Sequence, residues 1–344
     1  MAEIKPIAVM STDWHLKPSN LEDIKELIRQ EIWIAKDMGI DTHIWLGDIF
    51  DSRISQRQET LDALTEIIEM YEEEGQKIIC IPGNHDKTSY DSEKSFLDVY
   101  KYHPNFDLID MFDFREVNGV HCYFLPFFDN EIWLDEISNQ SIERPGHSVL
   151  FSHIAMQGSR NNDGSKVESE IKPSLFKDWG KVFLGHYHDH QELTKNVIHL
   201  GSITQNNFGE DDRKGFWILY EDLSYSLIPS DGKRYKKEVV NLDEMTFKQV
   251  DKVIKALKEN NPDDYVRVEI VGSQDQLKSI DKKVYQELGI DVKLKAKELE
   301  VAEIEVAEEV KALSNSDIAV KFKDWCKEND YNYEEGYNIL KQVL

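Results

Sequence analysis

The sequence predicts an α/β fold, and three observations predict it. From Pro6 to Ile81, short runs of β-type apolar residues alternate with longer amphipathic stretches of helical spacing. This βαβαβ rhythm implies parallel strands joined by right-handed crossovers. The middle of the chain is richer in β pattern, and the composition changes again after about Ser230. The 344 residues, 40% hydrophobic and 31% charged, suffice for one large domain with smaller additions.

The elements follow in order. Pro6 to Ser11 is an apolar run that reads as a strand. Ser19 and Glu22 form a capping-box pattern before a helix carrying Leu21, Ile24, Leu27, Ile28, Ile34, Ala35 and Met38, with Gly39 as its stop. Thr42 to Leu46 reads as the next strand. A second helix runs from about Gln58 to Glu74 with Leu61, Leu64, Ile67, Ile68 and Tyr71 on one face, closed by Gly75. Lys77 to Ile81 is a third strand. Phe114 to Val117 and Val120 to Leu125 read as a hairpin turning at Asn118-Gly119. Ser148 to Phe151 and Lys181 to Leu184 are further apolar runs, with the polar, substrate-facing or merely connecting loop Gly158 to Ser169 between them. Val197 to Leu200, Phe216 to Tyr220 and Tyr225 to Ile228 continue the strands.

A small α+β unit is expected after this: a helix over Phe247–Leu257, a strand over Tyr265–Val271, a helix over Gln274–Leu288 and a strand over Ile290–Leu294. Lys295 to Glu309 has the composition of a linker or a solvated helix. The tail places Ile318, Phe322, Trp325 and Cys326 at helical spacing, followed by Tyr333, Tyr337, Leu340, Val343 and Leu344, and resembles a docking module or a helix folded back on its own domain.

Composition narrows the function classes. No apolar stretch approaches the roughly 20 residues that span a bilayer, and Met1 to Pro6 lead straight into a strand, so a cytoplasmic protein is expected. Cys80, Cys122 and Cys326 lie far apart and read as free thiols filling a core. The net charge of −25 argues against a protein that wraps DNA unaided. It leaves room for a nuclease, because bound cations reverse the local field and a partner can supply basic surface. The dense basic run Lys233-Arg234-Tyr235-Lys236-Lys237 reads as a solvated strand edge or a phosphate contact.

Five short blocks carry the chemistry: Asp13-Trp14-His15, Gly47-Asp48, Gly83-Asn84-His85-Asp86, His153, and Gly185-His186-Tyr187-His188. Each follows a β-type run, where open parallel sheets gather their ligands. Residues i and i+2 of an extended segment point the same way, so Asp13 with His15, and His186 with His188, can each serve one cluster. A workable assignment puts Asp13, His15 and His188 on one ion and Asn84, His153 and His186 on a second, with Asp48 bridging. Imidazole and oxygen donors without thiolate suit Mn²⁺, Fe or Zn²⁺ in a catalytic rather than structural site. A hydroxide held between two such ions is the natural nucleophile for a phosphate ester. His85 is left over to protonate the leaving oxygen, oriented by Asp51 or Asp86. The histidines at 43, 103, 121, 147 and 199 read as core or surface residues, and His190 keeps a chance of a supporting role.

These residues resemble the calcineurin-like metallophosphoesterases: Asp13-x-His15, Gly47-Asp48-x-x-Asp51, Gly83-Asn84-His85-Asp86, Ser152-His153 and Gly185-His186-x-His188. Within them, Ser11-Thr12-Asp13-Trp14-His15-Leu16, Gly47-Asp48-Ile49-Phe50-Asp51 and His199-Leu200-Gly201-Ser202 are similar to the SbcD nuclease group, in its shorter phage form. The resemblance implies a layered fold of two β-sheets flanked by helices. It divides the chain into a nuclease core over residues 1–235, an α+β cap over 236–296, an acidic linker over 297–314 and a helical docking segment over 315–344. It further implies two Mn²⁺ ions, 3′–5′ exonuclease and endonuclease activity on DNA in double-strand-break repair or recombination, a homodimer formed through helices of the N-terminal half, and an SMC-like ABC ATPase as partner. Ser152 stands where the family often has Gly, and Asp51 where some relatives have His, so strand preference does not transfer. Two other readings share the residues. One is a phosphatase or phosphodiesterase for small esters, although Asp86 and Phe50-Asp51-Ser52-Arg53 depart from the protein-phosphatase motifs. The other is a non-catalytic scaffold binding DNA ends, although no ligand is missing.

Overall fold

The computed structural model describes residues 4–140, 142, 145–161, 164–297, 315–328 and 333. Two six-stranded sheets carry the fold. The elements of its first half are β1 (Pro6–Ser11), α1 (Leu21–Met38), β2 (Thr42–Trp45), α2 (Gln58–Glu73), β3 (Lys77–Cys80), β4 (Phe106–Leu108), β5 (Asp113–Val117), β6 (Val120–Leu125) and α3 (Asn130–Ser138). Then come β7 (Ser148–His153), β8 (Lys181–Gly185), β9 (Gln191–Glu192), β10 (Val197–His199), β11 (Gly215–Tyr220) and β12 (Tyr225–Pro229). One sheet has the order β12-β11-β1-β2-β3-β4 and the other β5-β6-β7-β8-β10-β9. The strands β1 to β4 are parallel, as are β6, β7, β8 and β10, and antiparallel strands close every edge except that of β4.

Strand alternation sorts the core into layers. Val9 and Trp45 face α1 and α2, packing on Ile24, Ile28 and Ile67. Their neighbours Ala8, Met10 and Ile44 face the other way, against Cys122, Phe124, Phe151 and Phe183 of the second sheet. Tyr123, Leu125, Leu150 and Leu184 point out of that sheet to Trp133 of α3 and Phe176. Both sheets are therefore covered on both faces, which is why their strands read as continuous apolar runs rather than alternating ones. Each large side chain buried this way contributes about 1.5–3 kcal/mol. Two sheets flanked by helices match the layered α/β fold expected from the sequence. The cysteines are free and buried, as core fillers should be.

One local expectation changed and another held. The capping box at Ser19 does not form: Asn20 is the N-cap of α1, and its side chain makes no cap hydrogen bond. Its Oδ1 instead accepts from Lys17 N at 2.9 Å and its Nδ2 donates to His15 O at 3.0 Å. Asn20 thus holds the loop leaving β1. The hairpin turn at Asn118-Gly119 does form, with φ of 48° and 86° at the two residues, as a two-residue turn of the right-handed ribbon requires.

After β12 come β13 (Tyr235–Asn241), α4 (Phe247–Asn260) and β14 (Tyr265–Gly272), then α5 (Gln274–Lys278), α6 (Lys282–Gln286), β15 (Ile290–Ala296) and α7 (Asn315–Glu328). The strands form a third sheet of order β13-β14-β15. The long helix expected over Gln274–Leu288 is two short ones, because Asp281 accepts from Lys283 N at 3.0 Å and starts α6 afresh. The basic run opens β13: Lys233 pairs with Asp23 at 2.7 Å, and Arg234 N donates to Asp264 at 2.8 Å. Contacts divide the chain into two compact units, residues 1–270 with 281–293, and residues 271–280 with 294–344. In the second unit, Phe322 stacks against Trp325 on α7. The linker and most of the tail beyond Glu328 lie outside the described residues.

Candidate metal centre

All five sequence blocks converge at the carboxyl ends of parallel strands from both sheets. Beyond β1 and β2 the chain stays zipped: Asp13 N donates to Gly47 O at 3.0 Å, His15 N to Asp48 O at 3.0 Å and Leu16 N to Ile49 O at 2.8 Å. The pairs Asp13/His15 and His186/His188 were expected to keep extended geometry, and they do not. Asp13, His15, Asp48 and His186 all have positive φ, at 55°, 49°, 51° and 92°. While His153 ends β7 in extended backbone, the Asp13-His15, Gly47-Asp48 and His186 segments turn through left-handed residues. Such residues cost about 1–3 kcal/mol each and mark functional strain.

The glycines serve chiefly by being small. A Cβ on Gly83 would stand 2.3 Å from Asp48 Oδ1, and one on Gly185 would stand 2.6 Å from His153 Nδ1 and from Leu46 O. Of the three motif glycines, only Gly47 also has a left-handed φ, 86°. Ser152, in place of the glycine common in the resembling family, has its own use. Its hydroxyl donates to Leu125 O at 2.6 Å and accepts from Trp133 Nε1 at 2.9 Å, tying β7 to β6 and α3.

The donor atoms form two triads, Asp13-His15-His188 and Asp48-His153-His186, each with its atoms within 4.8 Å of one another. A third overlapping group joins His15, Asp48 and His85. Asn84 Oδ1 lies 3.1 Å from His153 Nε2 and 2.8 Å from His186 Nδ1. Asp48 turns one oxygen to each side, Oδ2 at 3.7 Å from His15 Nε2 and Oδ1 at 3.3 Å from His153 Nε2. The tautomers fit cations. His153 Nδ1 donates to Leu46 O at 2.6 Å and His188 Nδ1 to Glu210 Oε1 at 2.7 Å, so in neutral rings both Nε2 lone pairs face inward. His15 and His188 then bring two Nε2 atoms within 2.9 Å of each other.

Burial and mutual charge set the electrostatics of the metal-free protein. Burial alone would raise Asp48, but His153 and His15 hold it below the carboxylate range. Burial would lower His153, yet Asp48 and Asp13 raise it to about 9. His186 is pushed down to about 3 by burial and by His153, and burial drives His15 well below its usual value. For His188 the Glu210 carboxylate outweighs burial and raises it.

His85 sits at the rim, its ring edge-on to His15 at 4.7 Å. Of its two expected orienting residues, Asp51 serves, but through its backbone: His85 Nδ1 donates to Asp51 O at 2.6 Å. The Asp51 carboxylate faces Lys17 at 3.3 Å. Asp86 does not orient His85. It is fully buried and accepts from Phe50 N at 3.0 Å and Gly83 N at 2.8 Å, binding two of the loops together.

Sequence reasoning missed Glu210 and Lys214. Both lie in a charged run that reads as solvated loop, yet Lys214 is fully buried and pairs with Glu210 at 3.3 Å and Asp189 at 2.9 Å. Nothing local in the sequence marks them. Trp14 and Phe50 are buried packers, on Trp45 and Phe96 respectively. Gly201-Ser202 braces the last block, with Ser202 N donating to His188 O at 2.9 Å. His199 also braces it: Nδ1 donates to Gly185 O at 3.0 Å, and Ser159 of the polar loop reaches Nε2 at 2.9 Å. His190 takes no supporting role of this kind and stacks on Trp217. His43 is a core residue between Glu31 at 2.7 Å and Gln76 at 2.9 Å, His103 lies 3.6 Å from Glu72, His121 packs on Phe114, and His147 is exposed.

A constellation of this kind, at the ends of two facing sheets, defines a metallophosphoesterase. The model of the calcineurin-like phosphoesterase family matches residues 6–191, more than half of the chain, and the chain belongs to that family. It is similar to exonuclease subunit 1 of Enterobacteria phage T4, at 28% identity over 216 residues, 60% of this chain and 62% of the relative's length. It is also similar to phosphoesterase 244L of Invertebrate iridescent virus 6, at 23% identity over 60% of this chain and 73% of that one. Among solved structures, Pseudomonas putida nuclease MPE matches at 13% identity with a TM-score of 0.26, covering 56% of this chain and 66% of that one.

Proposed function

We propose that this chain is a two-metal nuclease that hydrolyses DNA phosphodiesters. The observation that carries the reading is Asp48, whose two oxygens lie 3.7 Å from His15 Nε2 on one side and 3.3 Å from His153 Nε2 on the other. In this reading Asp13, His15 and His188 would hold one divalent ion and Asn84, His153 and His186 the other, with Asp48 available to both. The nitrogen and oxygen donors suit Mn²⁺. When bound, the ions supply an activated water and neutralise the charge of the phosphate.

The chain's own residues do the rest. His85 keeps Nδ1–H on the Asp51 carbonyl and offers a proton from Nε2 to the leaving oxygen. Glu210 holds His188 in the tautomer that presents Nε2, and Asp86 keeps the loops of Asp48 and Asn84 in register. The phage relative's name marks that protein as an exonuclease and as a subunit, which supports DNA as substrate and a partner for this chain. We assign repair or recombination as the setting, the cap to residues 236–296 and docking on an SMC-like ABC ATPase to residues 315–344. A homodimer joined by the N-terminal half completes the reading.

The test is hydrolysis of labelled duplex and single-stranded DNA with Mn²⁺, with Mg²⁺ or with chelator, beside bis-p-nitrophenyl phosphate. Metal-dependent DNA cleavage is expected. Turnover of the small ester with none of DNA, partner ATPase present, would instead make the chain a small-ester phosphodiesterase.

A further inference from the structure

We infer that Arg53 selects a nucleic-acid strand over a small ester, by binding a backbone phosphate next to the one being cut. This rests on the nuclease reading and deepens it.

Arg53 is tied to the metal centre from two sides. It lies two residues beyond Asp51, whose carbonyl holds His85 Nδ1 at 2.6 Å. Its Nη1 donates to the Tyr90 hydroxyl. The Tyr90 ring meets Phe127 edge-on at 5.0 Å, and Phe127 lies parallel to His186, with ring centres 6.2 Å apart. The Tyr90 side is stiffened from below. Asp129 N donates to Tyr90 O at 3.1 Å. The fully buried Lys87 donates to Ser92 O at 3.0 Å and Phe127 O at 2.7 Å. Arg53 itself is exposed. It is therefore a held guanidinium on the rim of the centre, facing solvent.

Its charge is also uncancelled. The chain carries 66 acidic residues against 41 Lys and Arg, and most cations near a carboxylate are spent on one. Lys17, on the other flank of Asp51, pairs with it at 3.3 Å. Arg29, Arg57, Arg115 and Arg267 pair with carboxylates as well. Among the described residues Arg53 pairs with none. Arg160 and Arg234 give their guanidinium groups to carbonyls of their own loops, and Arg213 lies over Trp217. A neutral hydroxyl partner fixes the position of Arg53 without cancelling its charge. A guanidinium has five donors, so most remain for the two-point contact that matches phosphate. A small ester brings only the phosphate that the ions engage, whereas a strand brings the neighbouring phosphate that Arg53 would meet.

The test compares wild type, Arg53→Gln, Arg53→Lys and Tyr90→Phe, all full-length with Mn²⁺, on a single-stranded oligonucleotide and on bis-p-nitrophenyl phosphate. Arg53→Gln should raise KM for the oligonucleotide about tenfold while kcat/KM for the small ester falls less than twofold. It should also reduce the salt slope of oligonucleotide binding by about 0.7, the value for one single-strand phosphate contact. Arg53→Lys should keep the slope but lose part of the affinity, and Tyr90→Phe should raise KM by a smaller factor. An unchanged KM and slope in Arg53→Gln, with wild type cutting the oligonucleotide normally, overturns the inference alone. Equal losses on both substrates also overturn it, since Arg53 would then serve the metal centre. A wild type that hydrolyses only the small ester overturns the nuclease reading, and the inference with it.

Discussion

His85 and Glu210 show how differently single residues enter one site. His85 was legible because it stands inside a motif, Gly83-Asn84-His85-Asp86, whose other members have evident uses. The His85→Ala variant should leave metal content unchanged and lower kcat for phosphodiester hydrolysis about 10²–10⁴-fold, the scale of losing a general acid. Metal analysis beside initial rates checks both halves, and an unaltered rate would remove the role. Glu210 was not legible, because its partner His188 is 22 residues away in sequence and it opens the charged run Glu210-Asp211-Asp212-Arg213-Lys214. The Glu210→Gln variant keeps an acceptor for His188 Nδ1 but loses the charge, and Lys214 still has Asp189. Metal affinity should fall about 10–100-fold, the usual effect of removing a ligand's supporting carboxylate. Titration with Mn²⁺ followed by calorimetry reads this directly.

Elements supply rigidity, and the glycines at their ends decide how closely the two sheets approach. A Cβ at Gly185 meets Thr12, His153 and the Leu46 carbonyl within 2.4–2.6 Å, so β8 would have to move away from β2. The Gly185→Ala variant should lose about 1–3 kcal/mol, the range for overpacking, and should lose metal with it. Gly146→Ala is the fitting comparison, since its Cβ meets only the Asp178 carbonyl at 3.6 Å. Equal melting temperatures for the two variants would count against the close approach. Strands, helices and the hairpin were readable from apolar periodicity because both faces of each sheet are buried. Helix starts were less so. Ser19 and Asn20 are both good caps, and only the loop that Asn20 must hold, through Lys17 and His15, decides between them.

At the scale of the molecule, the centre couples metal, proton and folding. In the metal-free protein Asp48 and Asp13 outweigh burial and raise His153 to about 9. The folded value then exceeds the unfolded value of about 6.5. Its contribution to stability is fully present below pH 6.5 and is lost as pH rises through about 9. Lys87, lowered to about 8 by burial, acts the other way only above that pH. Chelated protein should therefore melt at falling temperatures from pH 6.5 to 8. Mn²⁺, which needs the unprotonated ring, should raise the melting temperature more at pH 8 than at 6.5. A chelated protein whose melting temperature rises across that window would contradict the assignment of His153.

The sequence by itself determined the α/β class, the strand-end position of each block and the full inventory of imidazole, carboxylate and amide donors. Those properties belong to residue type and local spacing, which a sequence displays directly. Only the tertiary structure decided that Asp48 stands between His15 and His153, that left-handed rather than extended backbone aims Asp13, His15, Asp48 and His186, and that Asp51 orients His85 through its carbonyl. It alone brought in Glu210 and joined Arg53 to Tyr90. The reason is physical: each depends on distances between segments far apart in the chain, which are fixed by the packing of two sheets against each other.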